Sequence, residues 1–161
     1  MSVFVKPTTA PPARTDAARQ MALLYAGILV LFLVAQLFTF EEFLQLIPSF
    51  NLPIGELSYV VAPLIVVGEL FALPFLLRMS TSPALRWVSM VCGWATAATW
   101  VGISWWVVVT QPGASTVGFL GMVGDLSPGW WAILVAIAMG ILAAWASWGL
   151  WPGTRATMAK K

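Results

Sequence analysis

One carboxyl group stands inside the long apolar segments of this chain. Glu69 lies in the run Val61-Ala-Pro-Leu-Ile-Val-Val-Gly-Glu-Leu-Phe-Ala-Leu-Pro-Phe-Leu-Leu77. An acidic side chain near the centre of a membrane helix costs roughly 2.5–3.5 kcal/mol. Such a group needs a partner, a proton or a task. Pro63 and Pro74 flank it, and each removes a helical donor and frees a carbonyl about one turn earlier, at Tyr59 and Leu70. Arg78 is a poor partner, because nine residues along one helix place it on the opposite face, about 13 Å away. Two readings of Glu69 follow. It is a hydrogen-bonded structural group whose partner is a hydroxyl on a neighbouring helix, with Thr96, Thr99 and Ser147 as candidates at matching depth. Or it is a site that handles a proton.

The remaining inventory of reactive groups is short. The chain has no histidine, which removes the commonest metal ligand, proton shuttle and haem ligand together. Its one cysteine, Cys92, cannot form a disulfide within the chain, and a thiol in an apolar run reads as a packed side chain. There is no glycine-rich phosphate loop, no Ser/His/Asp set and no paired-cysteine motif. We therefore expect no metal, no cofactor held by a recognisable motif, and no catalytic centre of the chain's own. A net charge of +2 gives no case for nucleic acid.

Composition names the solvent. Hydrophobic residues make up 60% of the chain, charged residues only 9%, and the mean hydropathy is +0.90. A soluble domain carries about 25% charged residues. With so few, this chain cannot cover a water-facing surface, and bilayer lipid is its expected surroundings. Four stretches approach the ~20 apolar residues that a span requires: about Met21 to Phe38, Leu57 to Leu77, Arg86 to Val109, and Gly129 to Trp151. The first is not a cleaved signal, since no small-residue cleavage site with a polar flank follows Phe38. The expected fold is an all-α four-helix transmembrane bundle over residues 19–152. A disordered Pro/Thr/Ala-rich tail over 1–18 precedes it, and a basic tail over 153–161 follows.

Charge sets the orientation. Lys6, Arg14, Arg19, Arg78, Arg86, Arg155, Lys160 and Lys161 all fall on one side of this topology, with Glu41, Glu42, Glu56 and Asp125 on the other. The positive-inside rule then puts both termini in the cytoplasm of a cell with this chain in its inner membrane. Trp105, Trp106, Trp130 and Trp131 mark the outer interface, and Trp87, Trp148 and Trp151 the inner one. Trp94, Trp100 and Trp145 lie deeper.

Periodicity supplies surfaces. Phe40, Phe43, Leu44 and Ile47 recur at i, i+3, i+4, i+7, with Glu41, Glu42 and Gln45 opposite. This predicts a short amphipathic interfacial helix between the first two spans, either a lid over the bundle or a docking surface through Phe40, Phe43 and Ile47. Trp87, Trp94 and Trp105 share one face of the third span at 100° per residue. Such a stripe is ordinarily packing, and it is also the best candidate wall for a lipid or isoprenoid tail. Ala132, Ala136, Gly140 and Ala144, and the pairs Gly93/Ala97 and Ala98/Gly102, are seams that let helices approach closely. The glycine-bearing loop from Gln111 to Pro128 is expected to lie on the membrane surface.

Ala35-Gln-Leu-Phe-Thr-Phe-Glu-Glu-Phe43, then Leu52-Pro53, then Val66-Val-Gly-Glu-Leu-Phe-Ala-Leu73, resembles the DoxX/MauE group of small four-helix membrane proteins. The resemblance covers about 60 residues closely, and the four-span layout extends it to the whole chain. It implies an integral membrane accessory protein linked to redox systems, with only Glu69 and the Phe40/Phe43 segment carried over. The leading expectation is an accessory or assembly subunit whose partners are membrane lipid and other membrane-protein subunits. A quinone-linked oxidoreductase subunit of DoxD type, with Glu69 handling a proton, is the alternative. A small transporter is the third.

Overall fold

The computed structural model describes residues 8–111, 113–124 and 126–152. The expected basic tail over 153–161, together with Lys6 and Asp125, lies outside the described residues. Five α-helices follow one another: α1 (Asp16–Phe38), α2 (Phe40–Ser49), α3 (Ser58–Leu76), α4 (Pro83–Thr110) and α5 (Trp130–Gly149). A single 3₁₀ turn, Gly55–Leu57, leads into α3. Four of the helices, all but α2, are long and apolar enough to cross a membrane. They pack as a ring in chain order, α1 against α3, α3 against α4, α4 against α5, and α5 back against α1. Arg14, Arg19, Arg78 and Arg86 gather at one end, and Glu41, Glu42 and Glu56 at the other.

Two helices begin earlier than their apolar runs suggest, because caps and propensity extend them. Thr15 is extended, and its hydroxyl accepts from the Ala18 amide at 3.1 Å, so Asp16-Ala-Ala-Arg-Gln joins α1 as a polar first turn. Ser82 accepts from the Leu85 amide at 3.2 Å, and Pro83 occupies the first helical position, where its missing N–H costs nothing.

The interfacial helix forms over residues 40–49 and packs on α3. Phe43 and Ile47 are fully buried there, and Phe50 follows them into the core. The loop after α4 departs from expectation. Rather than lying on the surface, it folds inward and buries Thr116, Val117 and Phe119. Gly118 and Gly121 make the bend, at φ 92° and 57°. At Gly121 any Cβ would stand 3.1 Å from the Gln36 Cα and within hard contact of the Thr39 hydroxyl, so only glycine fits.

Of the disordered tail expected over 1–18, residues 1–7 lie outside the described residues, and the described part is ordered, with Asp16–Ala18 already in α1. Residues 8–15 are docked rather than disordered. The Thr8 amide donates to the Thr81 carbonyl at 3.3 Å and the Arg14 amide to Gly149 at 2.9 Å. The Arg14 guanidinium lies 5.5 Å from the ring centre of Trp148. Arg78, in the turn after α3, and Arg86, in the first turn of α4, fasten this strap at Pro11 and Thr8.

Seams on α4 and α5 turn out narrower than the four-residue repeats imply. On α5 the buried positions include Ala132, Ala136, Met139, Ala143 and Ala146, spaced alternately by four and three. A strict four-residue step gains 40° per repeat, which carries Ala144 to the outside. Gly93/Ala97 faces inward, while Ala98/Gly102 faces outward.

Beside Pro74 the next helix supplies a hydroxyl to the α3 backbone. The Phe75 amide donates to the Ser89 hydroxyl at 2.9 Å, and that hydroxyl donates to the Ala72 carbonyl at 3.2 Å. Ser89 is fully buried, so it serves the α3 backbone where no water reaches. Just beyond, α3 ends in a Schellman motif, with Arg78 to Phe75 and Met79 to Pro74. Its left-handed position, φ 54°, is held by Arg78 where glycine is the usual occupant. Ser89→Ala should therefore lower stability by about 1–2 kcal/mol, read as a fall in the thermal midpoint of the purified protein. An unchanged midpoint would show that these bonds carry no weight.

Candidate functional site

Glu69 is fully buried, at the middle of α3 and level with the last turn of α1. Its Oε1 accepts from the Trp100 indole at 3.1 Å and from the Gln36 amide at 3.3 Å. The same Gln36 nitrogen donates to the Phe119 carbonyl at 3.2 Å. One carboxyl oxygen thus joins α3 to α4 and α1, and through Gln36 to the inserted loop. Gln36 and Trp100 are as fully buried as Glu69.

An aromatic wall closes the outer side. The Phe119 ring centre lies 4.8 Å from Trp100, 5.3 Å from Phe32 and 6.1 Å from Trp131. Gly118 turns the loop so that Phe119 reaches this position, 3.0 Å from the Leu46 side chain for any added Cβ. Toward the basic end, the Tyr25 hydroxyl donates to the Gly93 carbonyl at 2.7 Å and ties α1 to α4 across the ring.

Oxygens remain over. Glu69 Oε2 and Gln36 Oε1 are buried and lack partners among the described residues. A proton on Oε2 would make it a donor, and Gln36 Oε1 is an acceptor, so the two left-over groups are complementary in kind.

None of the hydroxyls expected to serve Glu69 bonds to it. Ser147 donates to the Ala143 carbonyl at 2.7 Å and accepts from the Trp94 indole at 2.8 Å. It lies two residues from the end of α5, well away from the level of Glu69. Thr99 returns its hydroxyl to Ala95 at 2.8 Å. Thr96 has the right depth but faces Gly68, where an added Cβ would stand 2.7 Å from its Oγ1, and that oxygen has no partner among the described residues. The groups that do bind Glu69 had a signal. Gln36 is the one amide in the first apolar run, and a buried indole needs an acceptor for its N–H.

Trp87, Trp94 and Trp105 line the exterior of α4, each at least one-third exposed. Trp87 meets Trp151 edge-on at 5.1 Å. Phe43 and Ile47 belong to the core, while Glu41, Glu42, Gln45 and Ser49 of α2 are exposed and Phe40, Leu44, Leu46 and Pro48 are half-buried. Docking through Phe43 or Ile47 would need α2 to leave α3.

Comparison with protein-family models, with curated proteins and with solved structures gives no match.

Among the described residues no three His, Cys, Asp or Glu side chains come together. The site's chemistry is that of a carboxyl acceptor enclosed by two N–H donors and an aromatic lid. Glu69→Gln keeps an acceptor for the two donors and adds a donor of its own, so it should leave thermal stability within about 0.5 kcal/mol of wild type. Glu69→Leu strands the Trp100 and Gln36 donors and should cost about 1–3 kcal/mol. Equal tolerance of both would remove the carboxyl from the account.

Proposed function

We propose that this protein is an accessory or assembly subunit of a redox-linked bacterial inner-membrane complex, of the DoxX/MauE kind, with both termini in the cytoplasm. Glu69 on this reading is a structural clasp, and the working surface is the outside of α4 and α5. The observation that carries it is a small-residue face between tryptophans. On α4, Ala98 and Gly102 lie outward within about 80° of Trp87, Trp94 and Trp105. A Cβ at Gly102 or at Gly140 would meet nothing within 4 Å. On α5, Ile141, Ala144, Trp145 and Trp148 line a shallow groove of about 390 Å³. Small residues flanked by indoles suit the close approach of another membrane helix, because backbones can near each other while the rings fill the margins.

A second reading draws on one further feature. Between α3 and α4, Val61, Leu64, Ile65, Gly68, Cys92 and Thr96 line part of a groove of about 340 Å³. The Thr96 hydroxyl, buried and without a partner among the described residues, would suit a quinone carbonyl reaching in from this groove, which fits a quinone-linked oxidoreductase subunit. A quinone retained through mild detergent extraction, and lost in Thr96→Val, would favour this reading over the first.

The accessory reading is tested by purification from native membranes. Wild-type protein should bring down membrane subunits in fixed ratio. Gly102→Leu and Ala144→Leu, which fill open space and leave the bundle's own contacts intact, should release them while the thermal midpoint holds. Recovery of the wild type alone, or equal recovery of partners by the variants, would contradict it.

A further inference from the structure

Two arginines at the basic end are held as surface arginines are not. Arg86 is only 6% exposed. Its Nη2 donates to the Thr8 carbonyl at 2.9 Å, the Thr8 hydroxyl at 3.3 Å and the Thr81 carbonyl at 3.2 Å. Arg78 Nη2 donates to the Pro11 carbonyl at 3.0 Å. Every one of these acceptors is neutral. The Nε atoms of both arginines and the Thr81 hydroxyl are buried without partners among the described residues. The sequence has no remedy close by, since Asp16 is the one acidic side chain at this end and it is exposed.

The backbone adds an independent sign. Arg78 occupies the left-handed position of the α3 cap, where a side chain is strained and glycine is not. Strain of this sort persists where the side chain has a use. A buried guanidinium surrounded only by neutral acceptors is a costly arrangement, and an oxyanion is what relieves it. Arginine's planar fork is suited to phosphate in particular.

We propose that Arg86, Arg78 and Thr81 form a binding site for the phosphate of an anionic phospholipid headgroup, covered by residues 8–11. The strap's carbonyls hold the guanidinium donors through neutral bonds. A headgroup phosphate exchanges them for charge-assisted bonds and draws on the free Nε and hydroxyl donors. The lipid, rather than free phosphate, is the favoured source because of place. The site lies at the turn where α3 ends and α4 begins, at the level of headgroups when the four long helices span. This proposal is independent of whether the protein serves a larger complex.

Native mass spectrometry of the full-length protein, exchanged into mixed phosphatidylglycerol and phosphatidylcholine, tests it. Phosphatidylglycerol should be retained selectively. Arg78→Gly, which suits the backbone and so preserves the fold, should weaken that retention about fivefold, the worth of one arginine facing an anionic lipid. Arg86→Lys, which keeps the charge but loses the fork, should weaken it as well. Equal retention of the two lipids, or undiminished phosphatidylglycerol binding in Arg78→Gly, would overturn the site. Displacement of phosphatidylglycerol by millimolar inorganic phosphate would overturn the lipid as its occupant.

Discussion

The burial of one carboxyl group governs the interior of this protein. An apolar bundle offers Glu69 no water, so every atom around it must be arranged to receive an acceptor. The response is spread over three elements. α4 supplies an indole, α1 supplies an amide, and the loop after α4 supplies a carbonyl for that amide's second proton. Because two of these bonds meet on one oxygen and the third shares the Gln36 nitrogen, moving any of the three elements disturbs the other two. The aromatic contacts of Phe119 with Trp100 and Phe32 complete the enclosure.

The same rule explains the other buried polar groups. Helices in a membrane bundle can lose a ladder hydrogen bond only if a neighbour replaces it. Ser89 serves the α3 backbone beside Pro74, and the Tyr25 hydroxyl finds the Gly93 carbonyl. The inner joints of the bundle are therefore polar and specific, while its outer faces carry Leu, Val and Trp with few directional bonds. A structure built this way has specific inner joints and an exterior free of them, which suits the accessory role proposed above.

Much of the fold was legible in the sequence, because span length, charge asymmetry and helical spacing act locally. The four long helices, the short helix over Phe40–Ser49 and the burial of Phe43 and Ile47 follow from such patterns. The partners of Glu69 did not, because depth matching along helices narrows the candidates without fixing rotation or tilt. Thr96 has the depth but the wrong direction, and Ser147 had neither. The inward loop was not legible, because its turns depend on positive φ at Gly118 and Gly121, which a count of glycines does not reveal. The docked strap over Thr8–Thr15 depends on arginines 67 and 78 residues away in the chain, contacts that a Pro/Thr/Ala composition cannot announce.

The most direct test of the clasp is a double-mutant cycle between Glu69→Leu and Trp100→Phe, with unfolding free energies measured in one detergent. If the carboxyl and the indole bond as described, the second substitution costs less once the first is made. The coupling should then be about 0.5–2 kcal/mol, the range for buried hydrogen-bonded pairs in membrane proteins. Strictly additive effects would mean that the two side chains act separately, and the carboxyl would no longer be the group around which this bundle is organised.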